Sequence, residues 1–241
     1  MKNVSVIFAG GVGQRMNTKA KPKQFLEIHG KPIIVHTIEH FQKNSEIDAV
    51  CVVVVDDWVD YMKALVTKYH LTKVLWVIPG GSTALESQYN GLRTIARETD
   101  SDDTIVLIHD GVRPLISSDL ISDCISHVRE HGSAVTVAPA IETIVQADKN
   151  NMIYSTVERS ECFLARAPQC FYLKDILNAH EKAREERVYN FVDSTSLMLH
   201  YGFNIHIVHG PAENIKVTNP ADFYICRALL DAKENTQIYG L

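Results

Sequence analysis

Residues 4–26 read VSVIFAGGVGQRMNTKAKPKQFL. The apolar run 4–9 predicts a buried strand that stops at Gly10-Gly11-Val12-Gly13. Three glycines in four positions allow a sharp turn and bring bare backbone N–H groups against a ligand. Arg15 follows two residues later, and Lys23 comes after the Lys21-Pro22 turn. Amide donors and two cations just past the carboxyl end of a strand suit a polyphosphate. A tight strand-to-helix turn with solvated charges is the alternative. Two known phosphate loops are excluded. The fingerprint G-x-G-x-x-G fails because Met16 stands at the third glycine position. The string G-x-x-x-x-G-K-[ST] occurs nowhere in the chain.

Outward from this loop, strand and helix patterns alternate. Ile33, Ile34, Thr37, Ile38 and Phe41 recur at helical spacing behind Pro32, a residue suited to a helix start. His36 and His40 stand four apart on that helix, without a third ligand nearby, so they read as a helix face and not as a metal pair. The β-branched run 49–55 predicts a strand covered on both faces. A helix over 59–69 and a strand over 74–78 follow, leading to Gly80-Gly81 and a helix expected to start near Ser87. The phosphate-loop grammar thus occurs twice.

Residues 104–108 predict another buried strand, ending in His109-Asp110-Gly111-Val112-Arg113-Pro114. Functional groups of doubly wound sheets gather at such carboxyl ends. Asp110 and Arg113 read either as a metal ligand with an anion clamp or as an Asx-type turn in which the two pair. A helix over 120–131 and a strand over 134–139 come next. The region 141–170 is less regular, with 141–146 and 152–159 predicted to form a two-stranded ribbon about the turn 148–151. A lone ribbon is marginal in water, so it calls for a partner surface. A charged helix over 173–187, a second one capped by Asp193, a strand over 204–208 and a terminal helix from Pro220 complete the pattern.

The 241 residues suffice for one sizeable α/β domain, with ordinary hydrophobic (46%) and charged (22%) content. A net charge of −5 and the lack of a basic run argue against nucleic acid. Five scattered cysteines without C-x-x-C suggest reduced thiols, and no apolar run is long enough for a signal-peptide core or a membrane span. A single cytoplasmic domain over residues 1–241, with no membrane partner, is expected.

Five motifs in order resemble the polyol-phosphate cytidylyltransferases, a branch of the sugar- and polyol-phosphate nucleotidyltransferases: G-G-x-G-x-R-M with P-K-Q at Pro22-Lys23-Gln24, the G-G…S…G-L of Gly80, Gly81, Ser87, Gly91 and Leu92, H-D-G-V-R-P, A-P-Q-x-F at 167–171, and N-I-K-V-T at 214–218. The resemblance implies a Rossmann-like three-layer α/β/α nucleotidyltransferase fold with a mostly parallel sheet and a β-arm at about 141–165 through which two copies dimerise. It implies CTP and a polyol phosphate as substrates and Mg²⁺ as cofactor, with Asp110 as its ligand. Arg15, Lys23 and Lys216 would then be catalytic. Ala9, Gly10, Gly11, Gly13, Gly80, Gly81, Ser87 and Asp110 would bind nucleotide, while Arg113, Thr143, Arg159, Arg166 and Asp193 would bind the acceptor.

Three positions depart from the family pattern: Ala84 replaces an arginine, and Ala167 and Val192 replace threonines of the methylerythritol-phosphate enzymes. Lost hydroxyl donors, with Arg166 as an unusual neighbour, point to a pocket rebuilt for another acceptor, ribitol 5-phosphate first. Methylerythritol phosphate, and a non-catalytic nucleotide-binding homologue, stand as alternatives. A nicotinamide-dependent oxidoreductase is disfavoured by Met16.

Overall fold

The computed structural model describes residues 2–10 and 21–239. Strand β1 (Asn3–Ala9) is followed by a 3-10 turn at Lys23–Phe25 and a small ribbon of β2 (Glu27–Ile28) and β3 (Lys31–Pro32). Helix α1 (Ile33–Lys43) begins directly after Pro32. Next come β4 (Ala49–Val54), α2 (Val59–Lys68), β5 (Val74–Pro79) and α3 (Ala84–Ala96). Then follow β6 (Ile105–Asp110), α4 (Ser118–His131) and β7 (Ser133–Pro139). The second half contains β8 (Val145–Ala147), β9 (Ile153–Thr156), β10 (Phe163–Tyr172), α5 (Leu173–Glu185), α6 (Ser194–His200), β11 (Ile207–His209) and α7 (Pro220–Tyr239).

Seven strands form one sheet in the order β11-β7-β10-β6-β1-β4-β5. All neighbours run parallel except β10, which is antiparallel to both β6 and β7. The sheet is therefore mostly parallel, and it is covered on both faces. Ile7, Val50, Val52 and Leu107 pack with Ile34, Ile38 and Phe41 of α1, Met62 of α2 and Ile121 of α4. Val4, Val6, Cys51, Val53 and Val106 face the other way, onto Leu92 of α3, Ile176 of α5 and Leu197 of α6. The unbroken apolar run of β4 is explained by this arrangement, since alternate side chains enter opposite cores.

Two expectations are corrected. Helix α3 starts at Ala84 and not near Ser87, because the Thr83 hydroxyl accepts from Glu86 N (3.1 Å) and caps it three residues earlier. The irregular region also holds a ten-residue strand, β10, so the projecting ribbon is confined to β8 and β9. Residues 163–165 pair with β7 in the main sheet. Pro168 concealed this strand: it has no N–H to give the ladder, and the register shifts between Ala165 and Gln169, where the Ala167–Pro168 peptide is cis.

Candidate active site

The chain crosses from β1 through α1 to β4 on one side, whereas β6 lies on the other side of β1. The crevice beyond the carboxyl ends of β1 and β6 is thus the point where strand order reverses, the usual ligand position in an open parallel sheet. Phe8 is in register with Asp110, and Gly111 N donates to Phe8 O at 3.0 Å. Gly10 and Asp110 are in this way fixed on the two lips of one crevice.

Asp110 is buried, and each of its oxygens meets a cation. Arg113 Nε donates to Oδ2 at 2.7 Å, and Lys216 Nζ reaches Oδ1 at 2.6 Å. Burial alone would push this carboxyl upward, but Lys216 and Arg113 outweigh it and hold the pKa at about 2. Arg113 also donates from Nη1 to Asn214 O (2.9 Å), while the fully buried Asn214 donates to Ala167 O (2.8 Å). Val217 N donates to Val112 O (2.9 Å), and the buried Lys23 Nζ donates to Val217 O (3.0 Å). The 214–218 loop is therefore clamped between the 110–113 turn and the P-K-Q turn, and Lys216 is delivered to Asp110 from that loop.

The two glycine loops come close together at the Ser87 hydroxyl. Ser87 Oγ accepts from Gly81 N (3.0 Å) and donates to Thr83 O (2.9 Å). A Cβ on Gly80 would stand 2.8 Å from that oxygen and force a shift, and one on Gly10 would crowd it at 3.0 Å, so both loops pass close to the hydroxyl. Gln24 supports the first loop from behind by donating to Ala9 O at 2.7 Å.

The crevice widens into a cavity of about 220 Å³ whose wall includes Asp110, Arg113, Lys216, Arg166, Gln88, Gln169 and Asp193. Ala84, Ala167 and Val192, the three departures from the family pattern, line the same cavity. Asp193 caps α6, accepting from Ser196 N (2.9 Å), and accepts from Gln169 Nε2 at 2.7 Å. Ser194 donates to Gln88 Oε1 at 3.0 Å and ties α6 to α3. Arg166 Nη1 donates to Ala212 O (2.7 Å); burial and the nearby Arg113 lower its pKa. An anion that entered the cavity would relieve that crowding of cations.

Lys23, Gly10, Gly80, Gly81, Ser87, Asp110, Arg113, Arg166, Asp193 and Lys216 thus assemble around one crevice. Gly11, Gly13 and Arg15 lie outside the described residues. Thr143 and Arg159 are exposed on and beside the ribbon and do not line the cavity; Arg159 Nη1 donates to Ile141 O at 3.3 Å. His36 and His40 donate to Ile28 O (3.0 Å) and Pro114 O (3.1 Å), as residues of a helix face. The roles of Gln24, Gln88 and Asn214 went unread in the sequence. Gln24 and Asn214, like Gln169, lay inside motifs given above, which was the available signal.

Among the described residues no group of three or more His, Cys, Asp or Glu side chains is placed to hold a metal. Asp110 nevertheless fits one kind of ion. Mg²⁺ is commonly held by one or two carboxylates together with substrate phosphates and water. A phosphate drawing Lys216 or Arg113 away would free a carboxylate oxygen for it.

The fold and the crevice define a nucleotide-binding α/β enzyme of the nucleotidyltransferase kind. Residues 3–232 match the family model described as "IspD: 2-C-methyl-D-erythritol 4-phosphate cytidylyltransferase", and the chain belongs to that cytidylyltransferase family. It is 54% identical, over the full length of both chains, to a ribitol-5-phosphate cytidylyltransferase of Streptococcus agalactiae serotype V. It is 33% identical to a 2-C-methyl-D-erythritol 4-phosphate cytidylyltransferase of Clostridium botulinum, over 95% of this chain and 98% of that one. Among solved structures, the 4-diphosphocytidyl-2C-methyl-D-erythritol synthase of Anaerococcus prevotii superposes with a TM-score of 0.80 at 26% identity, covering 95% of this chain and 96% of the other.

Proposed function

We propose that the chain transfers CMP from CTP to ribitol 5-phosphate, releasing pyrophosphate and forming the CDP-polyol. The observation that carries this reading is the meeting of Asp110, Arg113, Lys216 and Arg166 on one cavity beside two glycine loops. Three cations against the carboxylates of Asp110 and Asp193 leave one surplus positive charge for phosphates.

A phosphate oxygen of the acceptor attacks the α-phosphorus of CTP in line. The bond from that phosphorus to the bridging oxygen of the β-phosphate breaks, and the electron pair leaves with pyrophosphate. No covalent enzyme intermediate is required, so catalysis is positioning plus charge stabilisation. Lys216, with Lys23 and Arg15, neutralises the charge that builds on the α-phosphate and the leaving group. Gly10, Gly80 and Gly81 let the backbone approach the nucleotide, and Ser87 holds the second loop in place through Gly81 N. Arg113 and Arg166 hold the acceptor phosphate. Bound at Asp110, Mg²⁺ would supply neutralisation of phosphate oxygens.

Two lines support ribitol 5-phosphate as acceptor. The ribitol-named relative is 54% identical against 33% for the methylerythritol-named one. Ala167 and Val192 also remove two hydroxyl donors from the cavity wall, while Arg166 adds a cation to it. Homodimerisation through the ribbon is part of the same reading, with Thr143 and Arg159 reaching the neighbour's cavity. Large apolar side chains stand exposed on and around it, among them Ile141, Met152, Ile153 and Tyr154 at 63–75%. A reducing cytoplasmic setting suits the five free cysteines, four of them buried. No helix among the described residues is long and apolar enough to cross a membrane.

Phosphorus NMR of the protein with CTP, Mg²⁺ and ribitol 5-phosphate tests the reaction. Stoichiometric appearance of pyrophosphate and a diphosphate diester is expected. Nucleotide binding with no change in either phosphorus signal would leave a binding protein instead.

A further inference from the structure

Two glutamine amides stand in the wall of the cavity that holds Asp110 and Arg113, and they differ in what they have left to bond. Gln169 is spent at both ends: Nε2 donates to Asp193 Oδ2 (2.7 Å), and Oε1 accepts from Thr195 N (3.1 Å). Gln88, on α3, is spent at one. Its Oε1 accepts from Ser194 Oγ at 3.0 Å, which fixes the amide, and its Nε2 bonds no group among the described residues. Gln88 is only 4% exposed, and it lines the cavity. His109 Nδ1 is unpaired and sealed from any ligand, whereas Gln88 Nε2 is unpaired without being sealed. Buried polar groups are nearly always paired, so a donor left open on a cavity marks a place for a ligand atom.

The surroundings define that atom. Arg113, Lys216 and Arg166 enter from the 110–113 turn, the 214–218 loop and β10, and they supply the charge that a phosphate needs. Gln88 enters from α3, and Phe8 and Ile108 of the sheet line the same cavity. A neutral amide in a wall that is partly apolar suits a hydroxyl on a carbon chain, which is itself neutral and both donates and accepts. Ala84 stands one helical turn before Gln88 on the same face and presents only a methyl, so the amide stays uncovered.

We propose that Gln88 is a specificity-determining residue whose amide bonds a chain hydroxyl of the acceptor, and that Ser194 is the positioning residue that aims it. This role rests on reading the cavity as the acceptor site. An acceptor without oxygen at the matching carbon leaves the amide buried and unpaired, so Gln88 selects polyol phosphates by their hydroxylation.

The test is kcat/KM for pyrophosphate release with CTP, measured for ribitol 5-phosphate and its monodeoxy analogues in wild-type and Gln88→Leu protein. In the wild type, at least one analogue is expected to fall about fivefold or more below ribitol 5-phosphate. Gln88→Leu should lose a similar factor with ribitol 5-phosphate, through the acceptor KM, while the CTP KM stays within about twofold. With that one analogue Gln88→Leu should lose no more than about twofold, because the missing hydroxyl and the missing amide belong to one pair. Ser194→Ala should shrink the same analogue's penalty, and it serves alone if Gln88→Leu does not fold. A loss of equal size for ribitol 5-phosphate and every analogue, or a CTP KM that rises as far as the acceptor KM, overturns the role. Wild-type protein that accepts all the analogues as well as ribitol 5-phosphate overturns it without any variant. Wild-type protein that releases no pyrophosphate with ribitol 5-phosphate overturns that acceptor instead, and the same comparison then runs on the polyol phosphate turned over fastest.

Discussion

Asp110 has a cation on each oxygen and a pKa of about 2, so it stays ionised under any working condition of the enzyme. Its charge sets where Arg113 and Lys216 stand before phosphates arrive. Asp110→Asn keeps the shape and removes the charge, and kcat for pyrophosphate release is expected to fall on the order of 10²–10³-fold, as for other losses of one preorganised charged group. A change below about threefold in a folded variant would take Asp110 out of the mechanism. Arg166→Ala separates the two substrates. Hydrogen bonds to charged groups are worth about 1.5–3 kcal/mol, so the acceptor KM should rise at least tenfold while the CTP KM stays within about twofold. A CTP KM that rises equally would move Arg166 to the nucleotide. The 109–114 string announced its own geometry because its partners are three residues apart. Lys216 sits more than a hundred residues from Asp110, and only its motif pointed to the pairing.

Among elements, the ribbon of β8 and β9 makes the sharpest demand. Its own pairing covers few residues, its apolar side chains are exposed, and Thr143 and Arg159 beside it do not line the cavity of the same chain. Mixing Arg159→Ala with Lys23→Ala protein should restore part of the activity if sites are completed across a dimer, and light scattering at micromolar concentration should give twice the chain mass. A monomer, or no regain on mixing, would contradict the shared site. Helices were readable from their caps and spacing, although α3 began three residues early because Thr83 caps it and leaves Ser87 in its first turn. The β10 strand was not readable, since its proline and register shift imitate a loop while pairing on both sides restores it.

Across the whole molecule the two-sided sheet was legible, because β4 and β6 carry no polar alternation. The cost of that burial appears in the histidines. His40, His109 and His180 are held neutral by burial, with pKa values lowered to about 4, 3 and 4. A lowered folded pKa means that the unfolded chain binds more protons between pH 6.5 and about 4, so stability is complete above that window and lost on descending through it. At pH 5 each ring removes about 2 kcal/mol relative to neutral pH, together about 6 kcal/mol. That loss is comparable with the whole margin of an ordinary domain. Thermal melts between pH 7.5 and 5 should therefore show a steep fall in Tm, and a flat profile would mean that these rings are not buried neutral.

Ala84, Ala167, Val192 and Arg166 all line the cavity proposed to receive the acceptor, so acceptor choice reports on the whole site. The most direct measurement is kcat/KM for pyrophosphate release with CTP over a panel of four- to seven-carbon polyol phosphates. Ribitol 5-phosphate is expected to lead methylerythritol 4-phosphate by about tenfold or more, about the worth of one mismatched polar contact to the polyol chain. Methylerythritol phosphate leading by tenfold or more would contradict the account.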